Sequence, residues 1–197
     1  LACLGEFRAA LDAWRPNATR VVATSALRMA RNAPLFLPAA GQALGHPVEI
    51  IAGDEAGRLV YLGVASTLDP NDPNPRLVID IGGGATELVA GQGAVIRRIE
   101  TFAVGAVRKS LTFFPDGRID DAGFEAAVRS SRSRFAQAAM GASNWPLAHG
   151  ACGTVRALAE IVQQEEGADA RLTRDALARL RRAFVVSGHV ARVRLAW

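Results

Sequence analysis

The chain has only two cysteines in 197 residues, Cys3 and Cys152, far apart and without the spacing of a metal-ligand cluster. That scarcity excludes a disulfide scaffold and a zinc-finger-like site, and it leads us to expect a reduced, cytoplasmic protein. No apolar run reaches the length of a membrane span, so no membrane partner is expected. Leu1-Ala2-Cys3-Leu4-Gly5-Glu6 has neither the basic start nor the apolar core of a signal peptide. An initiator methionine is also missing, and the chain is expected to be a fragment. Lysine is nearly absent, so the net charge of +4 comes mostly from arginine.

What is present is the composition of a globular protein: half the residues are hydrophobic and 21% are charged. The length suits one large domain or two small ones, either with a real core. Arginines gather in the last third: Arg129, Arg132, Arg134, Arg171, Arg174, Arg179, Arg181, Arg182, Arg192 and Arg194. A basic surface favours polyanionic partners, while solvated helix faces account for most of these side chains.

Strand and helix patterns alternate. Phe7, Ala10, Leu11 and Trp14 share one helical face. Arg20 to Thr24 reads as a buried strand, Ser25 as the cap of a helix to about Asn32, and Pro34 as a break. Val48 to Ala52 is a second strand, and Gly53-Asp54 opens a helix towards Thr67. After a proline-rich loop (69–75), Leu77 to Ile81, Glu87 to Ala90 and Ala94 to Phe102 read as three strands joined by turns. Helices are expected over Asp120 to Met140, Thr154 to Gln163 and Thr173 to Phe184, with a short strand at Leu147 to His149. The texture changes after Gly105. Two lobes are therefore expected, residues 1–104 and 105–197, with the boundary near Gly105 to Asp116.

The most informative stretch is Val78-Ile79-Asp80-Ile81-Gly82-Gly83-Gly84-Ala85-Thr86-Glu87-Leu88-Val89. A buried strand carries a carboxylate to its end, and three contiguous glycines follow. Glycines let the backbone approach a ligand closely and adopt dihedrals closed to other residues. Backbone N–H groups in such a turn hold phosphate oxygens, and the flanking carboxylates suit a hard cation such as Mg²⁺. A plain hairpin would not need Asp80 and Glu87. The pattern is neither a Walker loop, which needs a Lys-Ser/Thr, nor a dinucleotide fingerprint, whose glycines are spaced. Thr24-Ser25-Ala26-Leu27-Arg28 places hydroxyls and an arginine at a helix start, a second candidate anion site. Gly150-Ala151-Cys152-Gly153-Thr154 repeats the strand-to-helix turn. Here Cys152 reads as a small packing residue, and His149 as a satisfied or semi-exposed histidine. Asp54-Glu55-Ala56-Gly57-Arg58 offers a carboxylate that is either a helix cap or a water activator.

Together these stretches resemble the exopolyphosphatase and guanosine pentaphosphate phosphohydrolase family. The likeness is carried by Val22 to Arg28, Ile50 to Glu55, Leu59 to Val64, Val78 to Leu88, Gly105 to Arg108 and Gly150 to Thr154, in order along the chain. It implies an α/β, ribonuclease-H-like fold, as in actin, hexokinase and the heat-shock chaperone ATPases, with two lobes and mixed sheets flanked by helices. It implies Mg²⁺-assisted hydrolysis of terminal phosphoanhydride bonds of polyphosphate or guanosine pentaphosphate, and it makes a homodimer an expectation; nucleic acid is not expected as a partner. By that likeness Gly82, Gly83, Gly84 and Thr86 hold phosphate, joined by Arg28, Gly153 and Thr154. Asp80 and Glu87 bind the metal or orient water, and Glu55 is the candidate water activator.

Two departures stand out. The family's first phosphate loop, Asp-x-Gly-Ser-Asn-Ser, and its later Leu-Arg-Glu-Gly stretch have no counterpart here, so the fragment alone is expected to be inactive. The family also has paired glutamates before Ala/Gly-Arg, and Ala56 stands where the second would be. A non-catalytic polyphosphate- or nucleotide-sensing module is therefore the competing reading. A sugar or acetate kinase of the same superfamily is disfavoured by the Thr24 to Arg28 and Ile50 to Val64 matches.

Overall fold

The structure, a computed structural model, describes residues 1–138, 145 and 148–193. The expected helix end at Met140, strand start at Leu147 and the side chain of Arg194 lie outside the described residues. The chain divides into two compact units, Leu1–Ala56 and Gly57–Trp197.

The first unit contains α1 (Ala2–Trp14), β1 (Val21–Ala23), α2 (Ser25–Met29), α3 (Ala33–Leu44) and β2 (Val48–Ile50). Helix α4 (Gly53–Ala65) begins in it. Strands β1 and β2 pair in parallel, Val21 opposite Val48 and Ala23 opposite Ile50. Parallel pairing needs a crossover, and α2 with α3 supplies it. The sequence reading placed only a break at Pro34, yet α3 starts there. The proline lies in the first turn, where its missing N–H leaves nothing unsatisfied. Gly45, at φ 74°, ends α3 in the left-handed conformation, with its N–H returned to Gly41. Thr24, not Ser25, holds the N-cap position of α2, without a side-chain capping bond, and the helix stops at Met29.

The second unit is built on strands β3 (Arg76–Ile81), β4 (Thr86–Gln92), β5 (Val95–Phe102) and β6 (Ala148–Gly150), ordered β5-β4-β3-β6. The first three form an antiparallel meander, and β6 adds in parallel to β3. Helices α5 (Ala106–Phe113) and α6 (Asp121–Phe135) lie between β5 and β6, and α7 (Gly153–Glu166) and α8 (Arg174–Ser187) follow. A mixed sheet with helices is the expected α/β class.

The expected lobe boundary near Gly105 to Asp116 is corrected by this topology. Strand β6, from beyond it, joins the sheet through Leu77–Ala148, Val78–His149 and Ile79–Gly150. The strand carrying Asp80 thus belongs to the later unit rather than closing the earlier one. The textural change after Gly105 marks only the end of the meander and the start of the crossover helices.

One face of the sheet forms the main core. Val78 and Val89 are register partners and fully buried, and Tyr61 and Ala65 of α4 pack on them. Gly57 lets α4 lie close: a Cβ there would meet Ile99 at 3.0 Å and Val89 at 3.1 Å. Ile161 and Val162 of α7 pack with Ala176 and Leu180 of α8 in a second cluster. Arg76, 3% exposed, ties the proline-rich loop to the sheet by donating to Asp69 O and Gly93 O and pairing with Asp72. The buried Tyr61 hydroxyl donates to Gly93 O at 3.1 Å. Replacing Tyr61→Phe removes that bond inside the core and is expected to lower unfolding free energy by about 1 kcal/mol in urea titrations. An unchanged midpoint would show that the bond contributes nothing.

Candidate functional site

The glycine turn is held from one side. Gly82 N–H donates to Ala85 O at 2.9 Å, closing a hairpin whose loop is Gly83-Gly84. The first amides of a helix have no intrahelical partner. In α5 two of them are given to this turn: Ala106 N–H to Gly82 O at 2.9 Å and Arg108 N–H to Gly83 O at 3.0 Å. Among the described residues, no backbone carbonyl accepts from the amides of Gly83, Gly84 or Ala85. The turn therefore has the carbonyls of Gly82 and Gly83 occupied and three successive donors without backbone partners.

Of the two expected reasons for the glycines, close approach to a ligand and unusual dihedrals, the second is not met. None of Gly82, Gly83 and Gly84 has positive φ; among the described residues, the glycines that do are Gly45, Gly93, Gly117, Gly167 and Gly188. Crowding is greatest beside the turn, at Gly105, and milder at Gly83. A Cβ on Gly105 would lie 2.4 Å from Gly83 O and 2.5 Å from Gly84 N, and one on Gly83 would meet Val107 at 3.2 Å.

Asp80 and Glu87 are register partners across β3 and β4, which puts both carboxylates on one face of the sheet, the face of Val78 and Val89. Glu87 is buried and Asp80 half-buried. Burial pushes the Asp80 carboxyl above its ordinary pKa, and a hydrogen bond with the Cys152 thiol pulls it back in part. Like charges directly opposite one another are unfavourable. Two carboxylates beside a donor-rich turn fit Mg²⁺, which takes one or two protein carboxylates and fills its shell with water and phosphate oxygens. Among the described residues no group of three or more metal-ligating side chains gathers.

Thr86 is a correction. It is 1% exposed, and its hydroxyl donates to Val104 O at 2.7 Å. That bond spends the hydroxyl proton inside the protein, pinning the start of β4 to the segment before α5, so Thr86 has no donor left to give to phosphate.

The second strand-to-helix turn also belongs to this unit. Ala151 N–H donates to Ile79 O at 3.1 Å, extending the β6–β3 pairing. Cys152 then caps α7, accepting from Val155 N–H at 3.3 Å, and accepts from Ile81 N–H at 3.3 Å as well. Gly153 is exposed, with open space where a Cβ would stand, and Thr154 lies in the first turn. A cleft of about 650 Å³ runs along Gly150, Cys152, Gly153 and Arg156. The packing role read for Cys152 from sequence misses these bonds; the only signal was the turn's position between strand and helix.

Arg28 and Glu55 lie in the first unit. Arg28 Nη1 donates to Ile51 O at 2.7 Å, anchoring one end of an exposed guanidinium. Glu55 accepts from Arg20 Nη1 at 3.1 Å, and Arg20 also holds both oxygens of Glu49 at 2.9 Å. The bonds to Glu55 and then Glu49 raise the Arg20 pKa. Sequence reading did not single out Arg20, whose partners come from β2 and α4. Ala56, at the place of the family's second glutamate, is 7% exposed.

A mixed α/β sheet with a donor-rich glycine turn between two facing carboxylates defines a phosphate-handling class. The chain belongs to the Ppx/GppA phosphatase family, which it matches over residues 1–196. It is similar to an exopolyphosphatase-like protein (27% identity, TM-score 0.74, 83% of this chain and 52% of that one). A PPX-GPPA enzyme from Aquifex aeolicus is 28% identical, with TM-score 0.63, over 83% of this chain and 53% of that one. An exopolyphosphatase from Cytophaga hutchinsonii shares the fold at TM-score 0.73 and 22% identity, over 94% and 62%. The chain thus spans about half to three-fifths of the length of these relatives.

The crowding at Gly105 gives a test of the turn. Gly105→Ala forces a methyl against Gly83 O and Gly84 N. It is expected to cost about 2–3 kcal/mol in denaturant unfolding, as overpacking does. Gly153→Ala, in open space, is expected to stay within about 0.5 kcal/mol of the parent.

Proposed function

We propose that the full-length protein hydrolyses terminal phosphoanhydride bonds of inorganic polyphosphate or guanosine pentaphosphate. The observation that supports this reading is the glycine turn, whose Gly82 and Gly83 carbonyls are taken by α5 while the amides of Gly83, Gly84 and Ala85 have no backbone acceptor among the described residues. Donors fixed in advance stabilise the charge that builds on the terminal phosphoryl oxygens, with no rearrangement needed at the moment of reaction.

Asp80 and Glu87 are the residues that would hold Mg²⁺. A bound Mg²⁺ would supply charge neutralisation on the phosphate oxygens and polarise the phosphorus towards water. Water attacks the terminal phosphorus, the bridging P–O bond breaks, and orthophosphate and a chain shorter by one phosphate leave. Glu55 is the candidate acceptor of the water's proton, held in place by Arg20. Arg28 and the Gly153-Thr154 turn extend the reading as contacts to the polyanion. No helix among the described residues is long and apolar enough to cross a membrane.

Phosphate release from polyphosphate by the full-length protein tests this reading. Asp80→Asn is expected to lower the rate at least about 100-fold, since loss of even an outer-shell partner costs 10–100-fold. Equal rates would sink the metal or water role of Asp80. Ala56→Glu, which restores the family's paired glutamates, is expected to raise release. Tight polyphosphate binding with no release by the unaltered protein would overturn hydrolysis in favour of a sensing role.

A further inference from the structure

The end of β3 and the start of α7 meet at one sulfur atom. Cys152 is far from Asp80 in sequence, yet its Sγ accepts from Ile81 N–H, the amide next to Asp80, at 3.3 Å. The same Sγ accepts from Val155 N–H at 3.3 Å, the N-capping bond of α7. Ile81 is the last residue of β3 before the glycine turn, and Ala151 N–H donates to Ile79 O just before it. Asp80 is therefore bracketed by two bonds from the 151–152 turn.

We propose that Cys152 is a positioning residue for Asp80: its sulfur clamps the carboxyl end of β3 to the N-terminus of α7 and so fixes the carboxylate relative to the glycine turn. A packing residue of the same size would fill the space without making these bonds. Loss of the sulfur takes an acceptor away from the Ile81 amide. The carboxylate is then free to tilt, and a displacement of this kind costs rate rather than substrate affinity, because the turn's donors are untouched. Cys152 does not act on substrate; it acts through Asp80.

The inference rests on the hydrolase reading for its kinetic arm only. In the unaltered full-length protein, Ile81 and Val155 amides are expected to be protected from hydrogen exchange like the neighbouring ladder amides; free exchange at Ile81 overturns the clamp. Cys152→Ala is expected to release Ile81 protection and to lower kcat for polyphosphate about 10-fold at little-changed KM, the loss typical of an outer-shell partner. Mn²⁺ binding, followed by electron paramagnetic resonance without substrate, is expected to weaken by a similar factor. Cys152→Ser keeps a donor and acceptor and is expected to restore all three.

A serine variant no better than alanine, or an alanine variant with unchanged Mn²⁺ binding and Ile81 protection, overturns the proposal. If Cys152→Ala does not fold, the exchange measurement on the unaltered protein and Mn²⁺ binding by Cys152→Ser still decide it. Absence of phosphate release from the unaltered protein, with Ile81 protected and Mn²⁺ binding sensitive to Cys152, would reject the hydrolase reading and leave the clamp standing.

Discussion

The amides of Ala106 and Arg108 reach back to the carbonyls of Gly82 and Gly83, and the second unit depends on that contact. A turn of three glycines has little to hold it in one conformation, and ordering it costs backbone entropy. Occupying its carbonyls with the first amides of α5 meets two needs at once. The helix end finds acceptors it would otherwise lack, and the turn is fixed with its remaining N–H groups unspent. Thr86, bonded to Val104 O, braces the same junction from the β4 side.

Around this contact the sheet arranges opposed demands. Val78 and Val89 bury their side chains under Tyr61 and Ala65, while Asp80 and Glu87, two residues along, put carboxylates on the same face. The apolar part of the face stabilises the fold. The acidic part works against it, since burial disfavours ionised Asp80.

Much of this was legible in the sequence. Strand β3, the glycine turn and β4 were readable because a buried strand, a carboxylate and contiguous glycines each have a direct physical meaning. Helix α4 was readable from its opening Gly53-Asp54 and its apolar spacing. Helix α3 was not, because Pro34 looks like a stop until its place in the first turn is seen. Helix α5 was missed because none of its residues is buried, and its start is specified by the distant glycine carbonyls rather than by its own pattern. The lobe boundary was misplaced for a similar reason, since only pairing reveals that Ala148 to Gly150 joins β3. The roles of Thr86, Arg20 and Cys152 depend on partners remote in sequence, and no local pattern announces such bonds.

The close approach of Gly105 to Gly83 and Gly84 has a consequence for how this chain can vary. Space at that junction is a shared quantity, used by backbone atoms from two segments at once. A side chain on Gly105 cannot be accommodated by a smaller neighbour, because the neighbour is already backbone. The glycine turn and the entry to α5 therefore form one steric unit, and redesign of either must rebuild both.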